Sequence, residues 1–424
     1  MKNIFIGVLC FLISGSTIYG QNPVNKKRFS LDTRYLSGSY NNKAVGQFGS
    51  EWIQLTAMPA DLVISRDSID LSNDGKILFY TKQQARLFAN GFLTFITSAI
   101  FSPGLNFAFH EYGHGTRVAA IGLKPYYGHG SINSMADYEF VISGGAKLYD
   151  RFLPYYFASL FNTSGYAITK PNDEIFNPRL DIFEDGWDLD IAASGINNEM
   201  YLSEIIEDDI AIVGGHMGHM IPYIAGKLGA QSYNLDSGFF NDLSNVLKFY
   251  SDERIDITED DIKNGSWVAF LGSGTSYQLI WQFINMFRGK DTHFQSWKLG
   301  DFDLPNTSMY MNRDGISLKI KSAYNMGAWR FPFHLERITN GAGRTEIGMK
   351  VQRSFDHYGI TLGTTLGKKV ELEAEINYRL KDRLMISMGY DLFQFENLNG
   401  RRLSPSFENG NDSHVFFLRT SLLY

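Results

Sequence analysis

The fold of the C-terminal third is decided by Val370-Glu371-Leu372-Glu373-Ala374-Glu375-Ile376-Asn377-Tyr378-Arg379-Leu380. Apolar side chains occupy every second position, and charged or polar side chains stand almost everywhere between them. This two-residue period predicts a β-strand with one apolar and one polar face. The same alternation resumes over residues 384–392, after a short turn at Lys381-Asp382-Arg383, and it also marks residues 329–336 and 347–352.

About eight such segments lie between Thr307 and Tyr424, and several approach the nine to eleven residues that a tilted strand needs to cross a bilayer. We therefore predict an α+β protein in which residues 307–424 form a transmembrane antiparallel β-barrel of about eight strands. A soluble sheet with one face packed on helices would show the same alternation, and it is the alternative interpretation.

The last segment places Phe416, Leu418, Leu422 and the final residue, Tyr424, on one face. This pattern resembles the recognition signal of bacterial outer-membrane barrel proteins, which end on an aromatic residue after alternating apolar positions. The resemblance implies a location in the outer membrane of a Gram-negative cell, in contact with its lipid.

The N-terminal residues support an exported protein. A charged start, a short apolar run and small residues predict a signal peptide over residues 1–20, with the mature chain beginning at Gln21. Cys10, the only cysteine, lies in that signal, so a metal site in the mature chain must use His, Asp or Glu. The net charge of −6 gives no electrostatic reason to expect nucleic acid as a partner. The acidic residues between 181 and 190 do not match an EF-hand, and we interpret them as a solvated cluster rather than a calcium site.

A candidate metal site stands at His110-Glu111-Tyr112-Gly113-His114, directly after the apolar residues 105–109. On a helix, two histidines four residues apart share one face and can bind one metal ion. Glu111 then lies where it can accept a proton from water that the metal activates. Because the flanking residues are mostly apolar, the buried imidazoles need a partner that offsets their desolvation. The motif therefore predicts a Zn²⁺ site.

This HExxH pattern resembles zinc metallopeptidases of the gluzincin type, in which a glutamate from a later helix completes the site. By this resemblance His110, His114 and Glu199 bind Zn²⁺, and Glu111 is the general base. Glu199 stands at the start of a predicted helix. Gluzincins often carry an acid four residues after this ligand, and here that position is Ser203.

Other residues compete for the third ligand position. Glu139 lies at a suitable distance along the chain but in a predicted strand, and His216 and His219 are three residues apart in a glycine-rich segment. These histidines are also consistent with a structural role, or with stabilisation of a transition-state oxyanion. The metzincin class is excluded, because Arg117 and Ala120 replace its glycine and its third histidine.

The remaining sequence divides into two predicted parts. Residues 21–80 form a mixed N-terminal segment, in which the alternation over residues 29–35 adds a strand. Residues 81–300 form a mainly helical metal-site domain, with a helix break at Ser102-Pro103-Gly104 before the motif. Residues 92–101 are apolar but short for a membrane helix, and we interpret them as a buried helix.

Two functions follow from these features. The first is an outer-membrane zinc-dependent hydrolase, in particular a metallopeptidase with a peptide substrate. The second is a non-catalytic subunit of a larger outer-membrane complex for transport or barrel assembly, in which the metal is a structural staple and other outer-membrane proteins are partners. A fourth protein ligand would favour the second function, because catalytic zinc keeps an open position.

Overall fold

The structure, a computed structural model, describes residues 28–36, 41–64, 76–160 apart from 122, 131 and 133, 164–169, 187–233, 241–403 apart from 342, 356, 382 and 383, and 412–423. The helices in these residues are α1 Thr33–Leu36, α2 Asn42–Leu55, α3 Met58–Val63, α4 Lys76–Ala120, α5 Met135–Phe140, α6 Phe152–Ser159, α7 Trp187–Val213, α8 Met220–Leu228, α9 Asp242–Asp252, α10 Glu259–Leu271, α11 Gly274–Phe287 and α12 Leu398–Leu403. Shorter helical turns are Val141–Gly145, Met217–His219 and Gly229–Ser232.

The strands are β1 Arg28–Asp32, β2 Tyr126–His129, β3 Gly165–Ile168, β4 Lys298–Leu299, β5 Phe302–Asp303, β6 Asn306–Asn312, β7 Gly315–Met326, β8 Trp329–Gly341, β9 Thr345–Ser354, β10 Tyr358–Leu366, β11 Val370–Lys381, β12 Leu384–Gln394 and β13 Asp412–Leu423. Long helices and a large antiparallel sheet together confirm the α+β class. The segments predicted from alternation at residues 329–336, 347–352, 370–380 and 384–392 all lie in strands.

The large sheet has eleven strands in the order β1-β13-β12-β11-β10-β9-β8-β7-β5-β4, and β6 also pairs with β7. Strands β6 to β13 match the predicted number of eight, and Ile376 of β11 stands opposite Met388 of β12 and Ile360 of β10. The register shifts at two places, between Ile316 and Ser317 and between Arg379 and Lys381. In the described residues β1 and β4 are the ends of the path and do not pair with each other. The sheet is therefore open, and the closed barrel that the alternation predicts is not found here.

The two faces of the sheet differ in chemistry, as the alternation predicts. Leu362, Leu372 and Ile376 are about half exposed on one face, whereas Glu371 and Arg419 are almost fully buried on the other. The sheet thus presents apolar side chains outwards and encloses charged side chains.

Helix α7 covers the charged face. Glu204 accepts a hydrogen bond of 2.7 Å from Lys319 of β7, and Lys321 lies 3.4 Å from the buried carboxylate of Glu207. Isolated buried charges are costly, so these pairs fix the orientation of the helix over the sheet. A cavity of about 190 Å³ remains between helix and sheet, lined largely by polar and charged residues.

Helix α4 runs through Pro103 without interruption, so the predicted break at residues 102–104 is wrong. Proline removes one helical hydrogen bond, but packing against α6 holds the segment helical, and a side chain at Gly104 would overlap with the backbone of Ser159. The prediction that residues 92–101 are buried is also wrong for one face, on which Phe92 and Ile100 are exposed by 44% and 54%.

The N-terminal strand is shorter than predicted. β1 pairs with β13, but the chain then turns into α1, so Thr33 is helical rather than extended. The reason is an ion-pair cluster: Arg34 hydrogen-bonds Asp32 and reaches Asp391 of β12 at 3.1 Å. The predicted signal peptide, residues 181–186 and Tyr424 lie outside the described residues.

Candidate metal centre

The site is built where helices α4 and α7 cross. Two glycines allow the close approach: a side chain at Gly113 would overlap with the carbonyl of Ser194, and one at Gly195 would overlap with the ring of His110. A Cβ at Gly195 would also lie only 2.6 Å from Nε2 of His114. The glycines therefore bring the imidazoles of α4 against the backbone of α7.

Three donor atoms converge at this crossing. Nε2 of His110 and Nε2 of His114 lie 3.2 Å apart, and Oδ2 of Asp242 lies 2.9 Å from the first and 3.1 Å from the second. These three donor atoms all lie within 4.8 Å of one another. In the described residues, no other group of three or more His, Cys, Asp or Glu side chains meets this distance. The three donors have the composition of a metal site with one carboxylate and two imidazole ligands.

The donor set fits zinc in chemistry and in spacing. Zinc binds imidazole nitrogen and carboxylate oxygen at about 2.0–2.2 Å in tetrahedral sites, which sets neighbouring ligand atoms about 3.3 Å apart. The three separations of 2.9–3.2 Å approach this value. His110 and His114 are each less than 10% exposed, so an ion here would be held in a largely desolvated position.

A second layer of contacts orients the imidazoles. Nδ1 of His110 lies 3.2 Å from Oε1 of Glu199, and Nδ1 of His114 lies 2.6 Å from the carbonyl oxygen of Ile191. When each Nδ1 donates its hydrogen to these acceptors, Nε2 keeps its lone pair for a metal. Glu199 therefore lies at the site and contacts Nδ1 of His110, but it is not one of the three converging donors.

Asp242 is positioned by the start of helix α9. Asn241 is the N-cap of α9 and accepts a hydrogen bond from Ser244 N, which makes Asp242 the first helical residue. Burial raises the pKa of the Asp242 carboxyl, but the charges and hydrogen bonds of His114 and His110 outweigh it, so the pKa lies well below its ordinary value. Asp242 is therefore ionised, as a metal ligand must be.

Tyr233 completes the inner contacts. Its hydroxyl oxygen lies 3.0 Å from Nε2 of His110 and 3.0 Å from Oδ2 of Asp242, and its ring is stacked on the imidazole at 6.1 Å between centroids. Burial, followed by the charges of Asp242 and Glu199, raises the pKa of Tyr233 well above its ordinary value. The phenol is therefore a neutral hydrogen-bond donor at neutral pH.

Glu111 lies beside the cluster on α4 and is 7% exposed. The charges of His110, His114, Asp242 and Glu199 all act on its carboxyl group, which places it in the same electrostatic environment as the donor set. A buried carboxyl group next to a metal-binding cluster is suited to accept and return a proton.

The other candidate ligands lie elsewhere. Glu139 is an exposed residue of α5, so its predicted strand is wrong, and it is not part of the cluster. His216 and His219 form the capping box of the turn Met217–His219, in which Nδ1 of His216 accepts from Gly218 N. In this arrangement both histidines bind backbone groups at a buried helix start, which is a structural role.

Asp188 and Asp190 belong to the first turn of α7, and Asp190 forms an ion pair with Arg401 of α12. Asp190 therefore joins the start of α7 to α12. Comparisons with protein-family models, with curated proteins and with solved structures found no match for the chain.

Proposed function

We propose that this chain is a zinc-dependent hydrolase of the outer membrane, acting on peptide bonds. The observation that carries the proposal is the convergence of His110 Nε2, His114 Nε2 and Asp242 Oδ2 within 2.9–3.2 Å of one another. Glu111 is buried and close enough for the charges of these residues to act on its carboxyl group. The HExxH spacing supports hydrolysis, and the resemblance to gluzincins favours peptide as the substrate. Asp242 replaces Glu199 as the third ligand in this proposal.

The residues of the site have separate roles in the proposed reaction. A bound zinc ion would supply Lewis acidity, which polarises the scissile carbonyl and activates water at neutral pH. Glu111 accepts a proton from the attacking water, whose oxygen adds to the carbonyl carbon. Glu111 then returns the proton to the leaving nitrogen, and the C–N bond breaks to give an acid and an amine. Tyr233 is placed to donate a hydrogen bond to negative charge that develops on the substrate oxygen.

The distribution of side chains on the two faces of the sheet supports the proposed location in the outer membrane. The sheet's outward side chains include Leu362, Leu372 and Ile376, while charged side chains such as Lys319 and Glu371 face the interior. A soluble sheet that packs on helices would turn its apolar face towards them, and this sheet turns its charged face towards α7. The same distribution of apolar and charged faces is typical of strands in contact with lipid.

Tyr233 supports a second candidate function, a metal-stapled subunit of an outer-membrane complex. Its hydroxyl oxygen stands 3.0 Å from two of the three donor atoms, where a fourth ligand belongs. Zinc with four protein ligands contributes folding energy and leaves no position for substrate. The two functions therefore differ in whether Tyr233 acts as a ligand or as a hydrogen-bond donor.

The deciding experiment compares the wild type with Glu111→Gln, and it uses Glu139→Gln as a matched control on an exposed helix. Each protein is extracted in detergent, its zinc content is measured by mass spectrometry, and a peptide library is screened for cleavage. We expect one zinc in all three proteins and cleavage lost in Glu111→Gln alone, because Glu111 moves the proton but binds no metal.

Other outcomes assign the chain differently. One zinc in every protein, with no cleavage in any, supports the stapled subunit. No zinc in the wild type overturns the metal site itself. Cleavage retained in Glu111→Gln removes the proposed role of Glu111.

A further inference from the structure

A stripe of apolar side chains runs along the outside of α4. Phe88, Phe92, Ile96 and Ile100 follow one another at four-residue spacing and are exposed by 36%, 44%, 37% and 54%. Because residues four apart share one helical face, the stripe is continuous over more than three turns. A face of this kind is normally covered by another apolar surface.

Helix α11 extends this stripe into a surface, and α10 packs against α11. The ring of Phe287 on α11 lies 6.1 Å from that of Phe88, and Phe283 lies 5.7 Å from Phe95. We call the whole set the helical apolar surface; its exposed members are Phe88, Phe92, Ile96 and Ile100 of α4, Trp267, Val268 and Leu271 of α10, and Ile280, Trp281, Ile284 and Phe287 of α11.

The charge distribution identifies what covers this surface. Residues 87–109 of α4 contain no Asp, Glu, Lys or Arg, and α11 contains none along its whole length. At 1.5 Å per residue the charge-free part of α4 is about 34 Å long, close to the roughly 30 Å hydrocarbon thickness of a bilayer. Helix α4 also contains a segment, Thr81–Ala120, long and apolar enough to cross a membrane. A protein partner would not require this length.

The helical apolar surface is continuous with the outer face of the sheet. Helix α10 packs on β6 and β7, where a Cβ at Gly265 would lie 2.9 Å from Met309. The neighbouring strands carry exposed apolar side chains of their own, with Phe302 of β5 and Ile320 of β7 each nearly half exposed. One apolar surface therefore passes from the helices to the strands.

We propose that lipid acyl chains cover the helical apolar surface, so that helices α4, α10 and α11 form part of the membrane-facing perimeter together with the open sheet. This inference rests on the membrane location proposed above. It explains how a sheet whose end strands β1 and β4 do not pair with each other in the described residues can lie in a bilayer. Helices, whose backbone hydrogen bonds are satisfied internally, occupy part of the perimeter that further strands would otherwise fill.

The test uses single cysteines introduced into the chain after Cys10 has been replaced by serine. Spin labels are placed at Ile96→Cys and Ile284→Cys on the helical apolar surface, at Leu362→Cys on the sheet, and at Asp252→Cys at the exposed end of α9. The full-length protein is reconstituted in phosphatidylcholine vesicles. The accessibility of each label to oxygen, which partitions into lipid, is compared with its accessibility to a water-soluble nickel chelate.

We expect oxygen to exceed the nickel chelate at Ile96→Cys, Ile284→Cys and Leu362→Cys, and the reverse at Asp252→Cys. Labels that favour nickel on the helices while Leu362→Cys favours oxygen overturn this inference and leave the membrane sheet intact. Nickel preference at all positions overturns the membrane location as well. Low accessibility to both reagents on the helices, relieved when the protein is diluted in excess lipid, assigns the surface to a second copy of the chain.

Discussion

The sharpest prediction concerns which carboxylate binds the metal. Asp242 Oδ2 lies 2.9 Å and 3.1 Å from the two Nε2 atoms, whereas Glu199 contacts only Nδ1 of His110, at 3.2 Å. Replacing an outer hydrogen-bond partner of a ligating histidine lowers metal affinity about 10–100-fold, or roughly 1.4–2.7 kcal/mol. We therefore expect Glu199→Gln to bind zinc with that loss, and Asp242→Asn to lose more than about 100-fold because a direct ligand is removed.

The assay is a competition for zinc between each purified variant and a chromophoric chelator of known affinity, with every variant measured at the same pH because zinc competes with protons for the two histidines. Asp252→Asn, at the exposed C-terminal end of the same helix, is the matched control and should bind like the wild type. Thermal unfolding of the metal-free proteins establishes that each variant is folded. If Glu199→Gln loses more affinity than Asp242→Asn, the assignment of the two carboxylates is reversed and our interpretation of the geometry is wrong.

Three further predictions test the surroundings of the site. Gly195→Ala should abolish stoichiometric zinc binding while the protein stays folded, because a methyl group at this position displaces both imidazoles. Zinc binding at wild-type affinity would contradict the close contact between Gly195 and the two imidazoles. Tyr233→Phe should keep one zinc and lower kcat about 10²–10³-fold if the phenol stabilises an oxyanion, whereas loss of zinc in the same analysis would make it a ligand. Lys227→Met should lower the free energy of unfolding in detergent by about 2–3 kcal/mol, because the buried Glu207 loses its partner at 2.8 Å and keeps Lys321 at 3.4 Å and the Tyr223 hydroxyl at 3.0 Å. A loss below about 1 kcal/mol would show that the pair is unimportant.

The strands were predictable because their signal is local. In β11 each outward residue, such as Leu372 or Ile376, is apolar and almost every inward residue is charged or polar, and the period of two is visible without knowledge of the partner strands. Whether the sheet closes depends instead on pairing between strands far apart in the chain. Nothing in the sequence of β1 or β4 specifies that pairing, so the alternation of residues does not determine whether the sheet closes into a barrel.

The metal site was predictable only in part, for the same reason. His110 and His114 are coupled by helical spacing, but Asp242 lies 128 residues beyond His114 and joins it only through the tertiary fold. The sequence did carry two usable signals. Asn241 before Asp242 marks a helix start, and Gly113 and Gly195 mark a crossing of two helices at the motif.

Helix α7 links the metal site to the sheet. Its Gly195 and Glu199 face α4 and contact the imidazoles, whereas Glu204, five residues further, faces the sheet and binds Lys319 at 2.7 Å. Because successive residues of a helix are separated by about 100°, a rotation of α7 by one residue would carry Glu199 away from His110 and Glu204 away from its lysine. The buried ion pairs therefore fix the same rotation that orients the ligands. The charged interior of the sheet is for this reason part of the support of the metal site, although it lies on the opposite face of the helix.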